Sequence, residues 1–180
     1  MIIKDKIELE FNNKLRYYRI PLILAIIGFF CFFSEFYGRQ NYSINELNNT
    51  SNKIGLTFIL IATISFVIKN NDLKFKKIKS NIDKTIFLER LDKLIAKKEW
   101  EVHLKNKSEI ILKTDRCAAG GRFFLRRSYG EIIYIVIDKN EFYLKSIFDF
   151  HKNFEIIIST GENKVNEKSI INIIKSAANN

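Results

Sequence analysis

The sequence predicts an α+β protein in which a two-helix transmembrane hairpin precedes a small cytoplasmic domain of order α-β-β-β-β-β-α. Three observations indicate this class. Two uncharged apolar runs, residues 20–34 and 54–68, are each flanked by charged side chains. About 100 residues then follow a lysine-rich linker, which is enough for one domain with its own core. In that region, helical and alternating apolar patterns predict an antiparallel sheet that is covered by helices.

The first apolar run predicts a transmembrane helix over residues 17–37. An aromatic collar extends the run at both ends: Tyr17, Tyr18, Phe36 and Tyr37. With this collar, about 20 residues of helix match the ~30 Å hydrocarbon core of a bilayer. The second run predicts a short span over residues 54–69, about 22 Å long, whose flanking lysines can snorkel. The alternative is a buried helical hairpin in a soluble protein, because short apolar runs are typical of core helices.

Basic residues are sorted by side, and this predicts the orientation of the hairpin. Five precede the first span: Lys4, Lys6, Lys14, Arg16 and Arg19. Five follow the second run as candidate lipid contacts: Lys69, Lys74, Lys76, Lys77 and Lys79. Only Arg39 and Lys53 lie between the spans. We therefore expect an integral membrane protein, in a bacterial inner membrane, with both termini cytoplasmic and residues 38–53 as an extracytoplasmic loop.

The net charge of +10 does not require a nucleic acid as partner. More than half of the excess lies in residues 1–19 and 69–80, beside the predicted spans. Each lysine or arginine near an anionic leaflet contributes about 1 kcal/mol. Membrane lipids are therefore the predicted partners, a protein partner is also expected, and nucleic acid is not.

The cytoplasmic domain is predicted over residues 81–180, after a basic linker at 70–80. Ser80 and Asp83 predict the start of a helix over 81–98. Five strands are predicted from alternation and turn residues: 100–105, 109–113, 132–137, 142–147 and 154–159. A terminal helix follows Gly161, with Asn163 or Asn166 as its cap.

The amino-terminal tail, residues 1–16, carries a second alternating pattern. Ile7, Leu9 and Phe11 alternate with Glu8 and Glu10. This alternation allows residues 5–11 to form a strand that joins the domain sheet on the same side of the membrane.

Several segments together resemble a group of small bacterial membrane proteins that combine two short spans with a cytoplasmic α+β domain. They run from Trp100 through Ser128-Tyr-Gly-Glu, continue with Lys145-Ser146, and end in Ser159-Thr-Gly-Glu-Asn-Lys-Val-Asn166. The resemblance covers residues 80–175 and implies the architecture; it implies no activity. The strands followed by a helix are also similar to bacterial pleckstrin-homology-like domains, which have more strands and lack the leading helix.

The segment 116–128 is the best candidate for a binding loop. Its glycines let the backbone turn toward an anion, and its arginines can contact phosphate. The candidate anion- or lipid-binding residues are Arg116, Gly120, Gly121, Arg122, Arg126 and Arg127. No Gly-Lys-Ser or Gly-Lys-Thr follows, so the segment is not a Walker loop. A solvated basic loop is the simpler interpretation, and among ligands a lipid headgroup is favoured over a nucleotide.

No group of residues in the sequence indicates catalysis. His103 and His151 lack further metal ligands at a suitable spacing. Cys117 has arginine neighbours but no nearby histidine that could act as a base. Acidic residues are scattered singly, without a pair suited to acid-base chemistry. We therefore expect no enzymatic activity, no cofactor and no bound metal.

Two functions are compatible with these features. The first is a membrane-anchored, non-catalytic binding or scaffolding protein whose domain engages a protein partner or anionic lipid; it predicts an exposed sheet edge or apolar patch. The alternative is a ligand-gated membrane effector. In it, an anion binds near Arg122, Arg126 and Arg127, and the hairpins form homo-oligomers that perturb the bilayer. The short second span favours such association, because hydrophobic mismatch does.

Overall fold

The computed structural model describes residues 5–38, 50–115, 129–152 and 161–176. These residues form an α+β fold with five helices and one five-stranded antiparallel sheet. The elements in chain order are α1 (Phe11–Tyr17), α2 (Arg19–Gly38), α3 (Thr50–Asp72), β1 (Lys76–Lys79), α4 (Lys84–Lys98), β2 (Glu101–Lys105), β3 (Glu109–Lys113), β4 (Glu131–Asp138), β5 (Glu141–Phe148) and α5 (Glu162–Ser176).

The chain divides into two compact units. The helical unit is Leu9–Asp72 and contains α1, α2 and α3. The sheet unit combines the chain up to Glu8 with the chain from Leu73 onward.

The sheet has the strand order β1-β5-β4-β3-β2. Strands β2 to β5 form a meander in which each strand pairs with the next along the chain. β1 pairs with β5 at one edge, and β2 lies at the opposite edge. Helix α4 therefore carries the chain from one edge of the sheet to the other.

The core lies between one face of the sheet and helices α4 and α5. Cross-strand rows such as Ile110–Ile135–Leu144 supply the sheet side of this core. The buried helical side chains recur every three or four residues, as a packed helix face requires: Phe87, Leu91 and Ile95 on α4, and Ile170 and Ile174 on α5. Burial of each such side chain contributes roughly 1.5–3 kcal/mol.

The meander strands lie close to their predicted positions, but the first strand of the sheet was not predicted. β1 lies inside residues 70–80, for which the sequence predicts a basic linker. Its sequence Lys-Lys-Ile-Lys has one apolar residue, so only its pairing with β5 reveals it as a strand. The described order in the sheet unit is therefore β-α-β-β-β-β-α. The predicted strand at 154–159 lies outside the described residues.

Both domain helices begin at positions that differ from the prediction. Helix α4 begins at Lys84, because the Asp83 carboxylate accepts hydrogen bonds from the amides of Thr85 (2.7 Å) and Ile86 (3.4 Å). These bonds lower the pKa of Asp83. Helix α5 begins at Glu162, after Gly161 at φ 110°. Asn163 and Asn166, the predicted caps, lie inside this helix instead.

In its described part, residues 5–10, the amino-terminal tail joins the sheet unit through an isolated bridge and does not form the strand predicted at 5–11. Lys6 pairs with Lys74 in an isolated antiparallel bridge. The Ile7 amide donates to the Leu73 carbonyl and the Phe75 amide to the Asp5 carbonyl, both at 3.0 Å. Extended pairing stops there, because helix α1 begins at Phe11.

In the helical unit, α2 and α3 pack at two glycines. A Cβ atom at Gly28 would lie 2.8 Å from Ile59 Cγ1 and 2.9 Å from the Gly55 carbonyl oxygen. A Cβ atom at Gly55 would lie 2.9 Å from the Gly28 carbonyl oxygen and 3.2 Å from the Phe32 amide nitrogen. Only glycine allows the two backbones to approach this closely.

One helix of the described residues has the length and composition of a membrane span by itself, Asn52–Asp72. Phe11–Tyr17 and Arg19–Ser34 meet the same criteria only together, as a pair bent by 69°. Helix α3 is longer than the predicted span 54–69. It has 23 residues, about 34 Å, because polar residues continue it past Lys53 and Lys69, while its uncharged run is still 54–68.

Candidate functional site

The helix-covered face of the sheet changes from apolar to polar at one end. The row Leu112–Ile133 ends in Ser146, and beyond it Thr114 and Glu131 lie side by side. Ser146 and Glu131 have no exposed surface, and Thr114 is buried. On α5, the buried side chains Asn166 and Glu167 precede Ile170 and Ile174 on the same face. We name these polar residues, together with Asn163, the buried polar cluster.

Thr114 and Glu131, which flank residues 115–130 in the chain, are hydrogen-bonded to each other. The Thr114 hydroxyl donates to Glu131 Oε2 at 2.6 Å and accepts from the Glu131 amide at 2.8 Å. The Thr114 amide donates to the Glu131 carbonyl at 2.9 Å. Asn166 Nδ2 donates to Glu131 Oε2 at 3.1 Å. Helix α5 is thus bonded directly to Glu131, at the start of β4.

Glu167 bonds to the β5 backbone just beyond the part of β5 that pairs with β1. Strand β1 begins at Lys76, opposite Leu144, so its pairing with β5 does not extend past Leu144. There, the Ser146 amide donates to Glu167 Oε1 at 3.1 Å. The same carboxylate forms ion pairs with Lys76 of β1 and, at 3.6 Å, with Lys145 of β5. Glu167 therefore joins α5, β5 and β1.

The buried polar cluster has the chemistry of a structural network. The Glu131 carboxylate accepts hydrogen bonds, and the Glu167 carboxylate accepts a hydrogen bond and forms ion pairs. Buried charges require partners of this kind. The Ser146 hydroxyl donates to Asn163 Oδ1 at 3.2 Å, and an amide oxygen is not a base that could activate a nucleophile. In residues 5–38, 50–115, 129–152 and 161–176, no three His, Cys, Asp or Glu side chains are grouped as metal ligands.

Sequence reasoning missed this cluster, although a signal was present. Glu131 continues the alternating row of Ile133, Ile135 and Ile137. Glu167 precedes Ile170 and Ile174 at helical spacing. A charged residue that continues an apolar row can lie on the buried face, as these two do, whereas Asp138 at the end of the other β4 row is exposed. Because the two residues are 36 positions apart, only the fold brings their rows together.

The predicted anion-binding residues Arg116, Gly120, Gly121, Arg122, Arg126 and Arg127 lie outside the described residues, as does Cys117. The binding-loop hypothesis therefore remains a prediction. Thr114 and Glu131 are the bonded residues on either side of segment 116–128 in the chain.

The five predicted lipid-contact lysines have different environments. Lys69 is buried, and its ammonium donates to the Tyr17 carbonyl at 2.7 Å, which argues against a lipid contact there. Lys76 pairs with Glu167. Lys77 pairs with Glu141 at 2.7 Å, and this contact raises the pKa of Lys77 and lowers that of Glu141. Lys74 and Lys79 are exposed.

The α2–α3 hairpin has its small and polar residues inside and its large apolar residues outside. The buried positions on α3 are Asn52, Gly55, Ala62, Ser65 and Lys69, and Gly28 is buried on α2. The exposed side chains of α2 include Leu22, Ile23, Ile26, Ile27, Phe29, Phe30 and Phe33. Those of α3 include Ile54, Leu56, Leu60, Ile61, Ile64, Phe66, Val67 and Ile68. This distribution is the reverse of a soluble helical hairpin.

The β2 edge of the sheet is also exposed. All five residues of β2 are exposed, including Val102 (45%) and Leu104 (38%). The pairing of β2 with β3 shifts register between these two residues, which places a bulge at His103. Bulges on edge strands limit uncontrolled strand addition.

Comparison of the chain with protein-family models, with curated proteins and with solved structures gave no match in any of the three.

Proposed function

We propose that the protein is a membrane-anchored, non-catalytic binding module. In this proposal the α2–α3 hairpin spans a bilayer, and the sheet unit lies on the cytoplasmic side, where it engages anionic lipid. Both termini then lie in the cytoplasm.

The observation that carries this proposal is the reversed distribution of side chains on the hairpin. Removing apolar surface from water stabilises a protein by about 25 cal/mol per Å². Side chains that stay exposed in water, such as Phe30 (74%) and Ile26 (66%), do not gain this stabilisation. In a bilayer, the same side chains contact lipid tails in place of water, and helices associate through small residues that allow close backbone contact. The contact of Gly28 with Gly55 is of this kind.

The positions of the lysines support anionic lipid as the ligand. Only residues 73–75 separate α3 from β1, and three residues span at most about 11 Å. Lys74 is exposed within this stretch, and Lys79 is exposed at the last position of β1, five residues farther along the chain. If α3 spans the bilayer, the short connection keeps Lys74 within reach of the headgroups, and a lysine beside an anionic leaflet contributes about 1 kcal/mol of attraction.

A protein partner is the second candidate ligand, and the exposed β2 edge favours it. An extended segment can add to an unpaired strand edge through backbone hydrogen bonds, with side-chain pockets giving specificity. Val102 and Leu104 offer apolar contacts at this edge.

The ligand-gated effector is less well supported, because Arg122, Arg126 and Arg127, on which it depends, lie outside the described residues. Helix α3 has 23 residues, but its uncharged run is still 54–68, so the mismatch argument for association is unchanged. Toxicity on overexpression that is abolished by Arg126→Ala together with Arg127→Ala would favour the effector over the binding module.

Lipid engagement is tested by native mass spectrometry of the full chain released from nanodiscs that contain phosphatidylcholine and phosphatidylglycerol. We expect retained phosphatidylglycerol with the unmodified chain, and less with Lys74→Gln plus Lys79→Gln. The matched control is Lys97→Gln plus Lys98→Gln, which removes the same charge from the exposed end of α4. Equal retention by both variants would argue against lipid contacts at Lys74 and Lys79.

A further inference from the structure

Helix α1 is a short helix set at a steep angle to the hairpin. It comprises Phe11–Tyr17 and is separated from α2 by a break at Tyr18. The axes of the two helices differ in direction by 69°. A helix turned this far from a spanning helix runs closer to the plane of the bilayer than to its normal.

The exposed side of α1 has the pattern of a helix that lies on a membrane surface. Phe11 (73% exposed) and Leu15 (45% exposed) are four residues apart and share one face. Lys14 and Arg16 are exposed on either side of this face. Apolar residues flanked by basic ones are typical of interfacial helices on anionic lipid.

The opposite side of α1 is fixed to α3 by reciprocal contacts. The Lys69 ammonium donates to the Tyr17 carbonyl at 2.7 Å, and the Tyr17 hydroxyl donates to the Lys69 carbonyl at 3.1 Å. The Tyr18 ring packs on Phe66, with ring centroids 4.7 Å apart. Seven residues are too few for a stable isolated helix, so these contacts determine its position and the direction of its outer face.

We propose that α1 is an interfacial anchor that inserts Phe11 and Leu15 into the boundary between headgroups and acyl chains of an anionic leaflet. This inference rests on the proposed function, because it places α1 at the cytoplasmic end of a spanning hairpin. Two features select lipid as the occupant of this face. Lys14 and Arg16 complement anionic headgroups, and the apolar outer surface of α2 resumes at Leu22 and Ile23, just beyond the break.

The test measures the depth of single labels in a bilayer. The full chain carries Cys31→Ser and Cys117→Ser, and one new cysteine at a time receives an environment-sensitive fluorophore: Phe11→Cys, Leu15→Cys, Asn12→Cys or Phe30→Cys. Each protein is reconstituted into vesicles of phosphatidylcholine and phosphatidylglycerol, with and without bromine on the acyl chains. Asn12 is the matched control, because it is an exposed polar neighbour of Phe11 on α1.

We expect blue-shifted emission and loss of most of the intensity in brominated lipid at positions 11, 15 and 30, with little change at position 12. Quenching at position 30, with positions 11 and 15 behaving like position 12, would overturn the interfacial anchor and leave the spanning hairpin intact. No quenching at any position, including 30, would overturn the proposed function and this inference together.

Discussion

Glu167 is the residue on which three elements of the sheet unit converge. It is 2% exposed, and its carboxylate contacts the Ser146 amide and the ammonium groups of Lys76 and Lys145. A buried carboxylate is stabilising only while such partners remain, because loss of a partner leaves a desolvated charge.

We predict that Glu167→Gln lowers the free energy of unfolding of the sheet unit by about 1–3 kcal/mol. Glutamine keeps an acceptor for the Ser146 amide but removes both ion pairs, and Lys76 is half exposed, which limits the loss. The measurement is urea denaturation of the full chain in mild detergent, followed by fluorescence of Trp100. Glu89→Gln, on the exposed side of α4, is the control. Equal midpoints for the two variants would show that Glu167 is not a stabilising junction.

Tyr134 gives a second prediction, for alkaline pH. Burial raises the pKa of Tyr134 from 10.0 to about 12. The unfolded chain therefore releases this proton at lower pH than the folded one, and the free energy of unfolding falls as pH rises between about 10 and 12. We expect this fall to be smaller in Tyr134→Phe than in the control Tyr129→Phe, which changes an exposed tyrosine. Identical pH dependence of the two variants would contradict the prediction.

At the scale of elements, the contact of Gly28 with Gly55 determines how closely α2 and α3 pack. We predict that Gly55→Ala separates the helices, because the atoms its Cβ would meet belong to the α2 backbone and cannot rotate away. Overpacking of this kind costs typically 1–3 kcal/mol, partly offset by the helix propensity of alanine.

The effect of Gly55→Ala is measured by thermal unfolding of the full chain in detergent, followed by circular dichroism. The control is Thr63→Val, an isosteric change on the exposed side of α3. A lower transition temperature for Gly55→Ala alone supports the close contact. An unchanged transition in both variants would argue that the helices do not pack at these glycines.

Elements with strong periodicity could be predicted, and those defined by distant pairing could not. The alternation in β3, β4 and β5 and the apolar face of α4 place these elements within a few residues. β1 was not predicted, because Lys-Lys-Ile-Lys has one apolar residue and forms a strand only by pairing with β5. The length of α3 was underestimated, because charge bounds an apolar run but does not end a helix.

At the scale of the whole molecule, the sequence indicated the α+β class but not the residues that join the elements. The lysines could be counted, yet Lys69 and Lys76 are engaged within the protein, by Tyr17 and Glu167. Neither contact leaves a trace in local sequence, because the partners are 52 and 91 positions apart. Residues 116–128, the strongest binding candidate in the sequence, remain a prediction.

The central claim, a hairpin that spans the membrane with both termini inside, is tested most directly by cysteine labelling in intact bacterial cells. The chain carries Cys31→Ser and Cys117→Ser and one new cysteine, either Asn45→Cys between the spans or Lys107→Cys in the β2–β3 turn. Membranes are washed with alkaline carbonate after reaction with a maleimide that cannot cross the bilayer. We predict that the protein stays in the membrane, that position 45 is labelled, and that position 107 is labelled only after lysis. Extraction by carbonate, or equal labelling at both positions in intact cells, would contradict the claim.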